Sequence, residues 1–145
     1  MASSFAKSFE RTLASGRPGL AALLDEVERF LDAAPVPAAV AQSMMIACDE
    51  AISNAIDHGG AESGVTPTVD LRLIIGEGRI EGEVADSGGA FDPLAREDPD
   101  TTLALEDRAI GGLGVLLIRK LMDRVSYARE EGRNRLRFSK TFSIE

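Results

Sequence analysis

Between positions 69 and 84 the apolar residues fall at every second place: Val69, Leu71, Leu73 and Ile75, then, after the turn GEGR, Ile80, Gly82 and Val84. Period-two alternation belongs to strands with one buried and one wet face, so this stretch predicts a β-hairpin. A hairpin alone cannot bury its apolar face, and something else in the chain must cover it. The cover lies upstream. Across 18–33, Leu20, Leu23, Leu24, Val27, Phe30 and Leu31 recur at helical spacing. Pro35-Val36-Pro37 stops that helix and opens a second over about 38–58, with Ala41, Met44, Met45, Cys48, Ala51, Ile52 and Ala55 on its apolar side.

The segment GGLGVLLIRKLMD reads as a short apolar helix behind a glycine loop, and most of 86–114 reads as loop. Two further strands, about 125–129 and 135–144, are joined at EEGRN. Residues 5–14, with Phe5, Phe9 and Leu13, suit a helix and a strand alike. With no internal repeat and no low-complexity linker, the 145 residues predict one domain over 1–145. The order helix, helix, hairpin, loop, helix, hairpin predicts an α+β two-layer sandwich, helices covering one face of a mainly antiparallel sheet.

Charge narrows the partners. Sixteen basic against 24 acidic residues give a net charge of −8, which disfavours nucleic acid and anionic membrane surfaces, both of which call for Lys and Arg. The single cysteine, Cys48, can form no internal disulfide, and MASSFAKSFE contains no apolar signal core. No apolar run approaches the roughly 20 residues that span a bilayer. These features predict a cytoplasmic protein.

Three stretches could carry chemistry. In CDEAISNAIDHGG, Glu50, Asn54 and His58 are four apart and share a helix face, roughly opposite the Cys48/Ala51/Ala55 stripe. A solvated polar face is the plain reading, yet Asn is a poor helix-interior residue. An Asn carbonyl suits Mg²⁺, and a carboxylate one turn away can deprotonate a hydroxyl. His58 also reads as a cation favoured at a helix C-terminus. In EVADSGGAFDP, Asp86 shares the parity of Ile80, Gly82 and Val84. It therefore turns a carboxylate toward the apolar side, where it needs a donor such as the exocyclic amine of adenine. Gly88 and Gly89 would let backbone approach a flat ring, although an ordinary Asp-Ser-Gly-Gly turn accounts for the same letters. In IGGLGVLLIRKLMD, Gly111, Gly112 and Gly114 sit before a helix and would expose N–H groups to phosphate. The alternative is a loop leading into a buried helix. No Walker or dinucleotide fingerprint occurs.

Taken in order, E-x-x-x-N on a helix, D-x-G-x-x-F-D-P after a strand, and G-x-G opening a helix followed by K-L-M-D resemble the Bergerat ATP-binding fold of gyrase, a heat-shock chaperone, histidine kinases and MutL. The forms DEAISNAIDHG, DSGGAFDP and GGLGVLLIRKLMDRVSY are most similar to the RsbW/SpoIIAB-type anti-sigma factor serine kinases, over essentially the whole chain. That resemblance implies ATP or ADP as nucleotide, with Mg²⁺ on Asn54 and Glu50 as general base toward a substrate serine. It implies Asp86 on the adenine amine, Gly88 shaping that pocket, and Gly112 and Gly114 along the phosphates. Residues 91–111 would be the ATP lid, with Arg108, and His58 on the helix, as further candidates for contact with ATP. Arg137 stands where relatives often carry a smaller polar residue, which would alter the floor of the adenine pocket.

The implied partners are a STAS-domain anti-anti-sigma antagonist, which is phosphorylated, and a sigma factor or other regulatory target, which is held in its place; many relatives are homodimers. The leading expectation is thus a protein serine/threonine kinase that also acts as a partner-switching anti-sigma regulator. The alternative is a non-catalytic nucleotide-binding module that sequesters a regulator, for which Glu50 would be less needed. A detached histidine-kinase catalytic domain would require its acceptor histidine on another protein, since His58 lies within the nucleotide-site helix.

Overall fold

The computed structural model describes residues 5–90, 92, 94 and 112–143. Five strands form one sheet: β1 Phe5–Leu13, β2 Val69–Gly76, β3 Arg79–Asp86, β4 Arg124–Glu130 and β5 Arg133–Thr141. Their order across the sheet is β1-β2-β3-β5-β4, antiparallel throughout. Three helices, α1 Leu20–Asp32, α2 Ala38–Ser63 and α3 Gly112–Leu121, lie with a 3-10 turn at Arg17–Gly19. The α+β architecture is the expected one. No described helix is long and apolar enough to cross a membrane.

The ambiguous first segment is a strand, and Arg11 explains why the pattern hid it. On the helix-side face of β1 the sequence runs Phe9, Arg11, Leu13, so a cation interrupts the apolar alternation. Phe9 and Leu13 are buried and pair opposite Leu73 and Val69. Arg11 spans the edge instead: its Cζ lies 4.5 Å from the Phe9 ring centroid, and its Nε donates to Glu26 of α1 at 2.9 Å. Lys7 likewise caps α1, donating from Nζ to the Ala33 carbonyl at 2.8 Å.

The apolar layer follows the two periodicities. Leu71, Leu73, Ile75, Ile80 and Val84 from the hairpin meet Leu23, Val27 and Leu31 of α1, Met44, Cys48 and Ile52 of α2, and Ile118 of α3. Gly82 belongs to the same face and makes room for its cross-strand partner Phe138, whose ring would lie 2.5 Å from a Cβ at that position. Burial, with Asp49 nearby, pushes the Cys48 thiol up to about 12, so it packs as a small hydrophobe and is not a nucleophile.

No described helix covers the opposite face of the sheet, which is laced by ion pairs. Asp70 meets Arg133 at 2.6 Å, and Glu83 meets Arg137 at 2.6 Å and Arg135 at 3.0 Å. Arg137 therefore lies on this face and contributes nothing to an adenine-pocket floor, contrary to the expectation from its position. A shallow concavity of about 420 Å³ on the same face is bordered by Arg72, Glu83, Arg124 and Arg137, and of the three motif stretches only Glu83, at the start of EVADSGGAFDP, is among its lining residues.

Burial pushes the Glu83 carboxyl up, but Arg137 and Arg135 outweigh it and hold the group below its ordinary range. The folded pKa thus lies under the unfolded one, so the stabilisation is present above about pH 4.3 and is lost as pH falls through the folded value. Glu83→Gln is expected to cost about 1 kcal/mol at pH 7, a modest figure because solvent screens the half-exposed Arg137. Urea unfolding of both proteins at pH 7 and pH 3 checks this, and the difference should shrink at the lower pH.

Candidate functional site

α2 is enclosed by α1, α3, β2 and β3, so it has little solvated face. Asn54 is buried at 9% exposure and, with Ala51, Ala55 and His58, lines a narrow recess. The expected separation between the Glu50/Asn54/His58 face and the alanine stripe does not hold. At 100° per residue Asn54 stands only about 60° around the helix from Ala51, and both look into the same space. The helix also continues five residues beyond His58, which removes the C-terminal-cation reading of that side chain. It runs through Gly59, which packs under Pro67 and Gly88, where a Cβ would meet Pro67 Cγ at 2.9 Å.

Among the described residues the Asn54 amide nitrogen is buried with no hydrogen-bond partner. Such a group costs about 1–3 kcal/mol if nothing else satisfies it. Buried amides are otherwise paired, so this one is suited to a bound group.

The far end of the recess belongs to β3 and β5. Asp86, 8% exposed, ends β3 on its apolar side, as its parity predicts. Its Oδ1 accepts from the Gly88 N–H at 2.9 Å and from Asn134 Nδ2 at 3.0 Å. Asn134 Nδ2 also donates to the Gly89 carbonyl at 2.8 Å, and Asn134 Oδ1 accepts from the Tyr127 hydroxyl at 2.5 Å. Arg129 donates to the Gly88 carbonyl at 2.8 Å. The close approach that Gly88 makes is to Gly59 and to Asp86: a Cβ there would lie 3.0 Å from Gly59 Cα and 3.0 Å from Asp86 Oδ1. Of the pair Gly88 and Gly89 it is Gly89 that lines the recess, together with Gly59.

Glu50, one turn before Asn54 on α2, is not among the residues lining the recess and stands against the first turn of α3. A Cβ on Gly114 would lie 2.3 Å from Glu50 Oε2. Gly112 is the first residue of α3 and Gly114 lies inside its first turn, where the expectation had both glycines preceding the helix. Burial pushes the Glu50 carboxyl above its ordinary range, Asp49 adds to the rise, and Arg17 opposes it. Arg17 is itself anchored to Asp57 of α2 by two hydrogen bonds, at 3.1 and 2.7 Å. Phe91, Arg96, Arg108 and Gly111, and with them nearly all of the expected lid, lie outside the described residues.

Sequence reasoning missed Asn134, Tyr127 and Arg17. For Asn134 a signal existed: Asn134, Leu136 and Phe138 alternate on the core side of β5, and Asn134 pairs directly with Asp86. The strand had been expected to begin one residue later. Arg17 sits in a 3-10 turn, where no periodicity marks it.

The residues fit a nucleotide. Asp86 offers an acceptor, the unpaired Asn54 amide nitrogen a donor suited to a phosphate oxygen, and α3 a helix N-terminus beside Glu50. A metal would have to take the amide oxygen of Asn54 instead.

The chain is similar to several known proteins. The serine-protein kinase RsbW of Bacillus pumilus is 36% identical over 96 residues, 63% of this chain and 59% of that protein. The serine/threonine-protein kinase BtrW of Bordetella bronchiseptica is 31% identical over 94 residues, 65% of this chain and 66% of its own length. The chain thus matches about three fifths to two thirds of these curated relatives. The crystal structure of the RsbU and RsbW domains of Rv1364c from Mycobacterium tuberculosis superposes with a TM-score of 0.66. It covers 94% of this chain and 32% of that one at 12% identity, a likeness of fold. The family described as the histidine kinase-like ATPase domain matches residues 16–140, and the chain belongs to it.

Proposed function

We propose that this chain is an ATP-dependent protein serine kinase. The observation that supports it best is the convergence along one helix: Asp86 at one end of the recess, Asn54 within it, and Glu50 beside the glycine turn of α3. Asp86 would receive the 6-amino group of adenine, while Gly112 and Gly114 would offer the first turn of α3 to the phosphates. The amide oxygen of Asn54 would hold Mg²⁺, which when bound neutralises charge on the phosphates. Glu50 would accept the proton of the attacking serine hydroxyl, for which a carboxylate with a raised pKa is better matched than an ordinary one.

The protein substrate, by the likeness of the motifs, is a STAS-domain anti-anti-sigma antagonist, and the second partner is a sigma factor or another regulator. The acidic surface suits protein partners.

The test uses the purified chain, Mg-ATP labelled on the γ-phosphate, and soluble extract of the source cells. Label on a serine of a small protein, appearing only when the chain is added, supports the reading. Nucleotide binding with no labelled protein would leave a non-catalytic nucleotide-binding module. Failure to bind ADP or ATP at all would overturn both.

A further inference from the structure

Asp86 alone does not decide which purine this site accepts, because a carboxyl group can serve a donor or, when protonated, an acceptor. What surrounds it restricts the choice. The Gly89 carbonyl can only accept, so the group 2.8 Å from it on Asn134 must be the amide nitrogen. The same nitrogen then donates to Asp86 Oδ1 at 3.0 Å, where the Gly88 N–H also donates at 2.9 Å. The amide oxygen of Asn134 is left toward Tyr127, whose hydroxyl must therefore donate to it at 2.5 Å. Reversing the amide would set an oxygen against two acceptors. The polarity of the whole chain, from Tyr127 to Asn134 to Asp86, is thus fixed by one backbone carbonyl.

Asp86 Oδ1 carries two donors. Among the described residues nothing donates to Oδ2, and Asp86, Tyr127 and Asn134 all line the recess. Asn134 is 6% exposed and Tyr127 is partly buried, so water competes little for these bonds.

Resting on the ATP reading above, we infer that the Tyr127–Asn134 pair sets the base selectivity of the site. By holding a donor on Asp86 Oδ1 it keeps Oδ2 as an acceptor, which suits a purine bearing a 6-amino group and rejects one bearing a 6-oxo group. Tyr127 and Asn134 are positioning residues, acting on the base through Asp86.

Competition between ADP and inosine diphosphate for the full chain tests this, with cooperative thermal melting confirming the fold of each variant. The wild type is expected to prefer ADP by on the order of 100-fold, the range in which a mispaired buried hydrogen bond discriminates. Asn134→Asp replaces the fixed donor with a second carboxyl group beside Asp86. The two must then share a proton, and the preference is expected to fall by about tenfold or more and to vary with pH. Tyr127→Phe removes only the hydroxyl and should lower the preference by about threefold, the effect of one weakened neutral hydrogen bond. It keeps the test open if Asn134→Asp does not fold.

A ratio that stays at the wild-type value in the folded variants would overturn the inference and leave the ATP site intact. A wild type that binds both nucleotides equally would also overturn it. A wild type that binds neither would overturn the ATP reading itself, and the selectivity with it.

Discussion

Glu50→Ala is expected to lower phosphoryl transfer by about 10²–10⁴-fold, the usual contribution of a positioned general base, while ADP still binds nearly as in the wild type. The separation follows from where Glu50 stands. It lies at the α3 end of the site, away from the Asp86 network, and its carboxyl is pushed up by burial and by Asp49. The base must be ionised to act, so the rate should fall as pH drops through a value above the ordinary glutamate range of about 4.3. Arg17 opposes that rise, and Arg17→Ala should therefore move the acid limb to higher pH.

Stability carries the opposite sign. A carboxyl whose folded pKa is raised destabilises the fold once ionised, and its favourable contribution, present at low pH, is lost as pH rises through the folded value. Glu50→Gln is therefore expected to keep or raise the melting temperature at pH 7 while losing transfer, the trade a site residue makes for function. Single-turnover transfer and equilibrium ADP binding of the same preparations check both halves. Loss of ADP affinity in step with transfer would make Glu50 a binding residue and remove its assignment as base.

The hairpin, the two long helices and the side of β3 on which Asp86 lies were all legible, because a period of two or 3.6 survives without knowledge of tertiary contacts. Legibility failed where one residue served a neighbour instead of the core. Arg11 sits at a core-side position of β1 and reaches Glu26, which blurred the strand pattern. The helix expected over about 38–58 runs on to Ser63 through Gly59, a glycine kept because Pro67 and Gly88 occupy the space a side chain would need. Asn134 lies 48 residues from the Asp86 it orients, a pairing that depends on the β3–β5 register. Asn54 stood out in the sequence as a polar residue out of place in a helix. Its burial could not be foreseen without the packing of α2 among its neighbours.

Gly114→Ala is expected to lower transfer by about 10²-fold, the cost of a displacement near 1 Å at a reacting group, while changing stability by no more than about 1 kcal/mol. In a helix Ala is normally favoured over Gly by about 1 kcal/mol, so the substitution should stabilise α3 if nothing stood in its way. What stands in its way is Glu50: the new Cβ would lie 2.3 Å from Oε2 and 3.2 Å from Cδ. The carboxyl is the mobile end of a flexible side chain, so it is the group that yields, and the fold largely absorbs the change while the base is misplaced. A double-mutant comparison separates this from direct contact of Gly114 with phosphate. Combined with Glu50→Ala, Gly114→Ala should become stabilising and cost no further transfer. If instead Gly114→Ala lowers ADP affinity as much as it lowers transfer, and does so with or without Glu50, the glycine serves the phosphates and not the placement of the base.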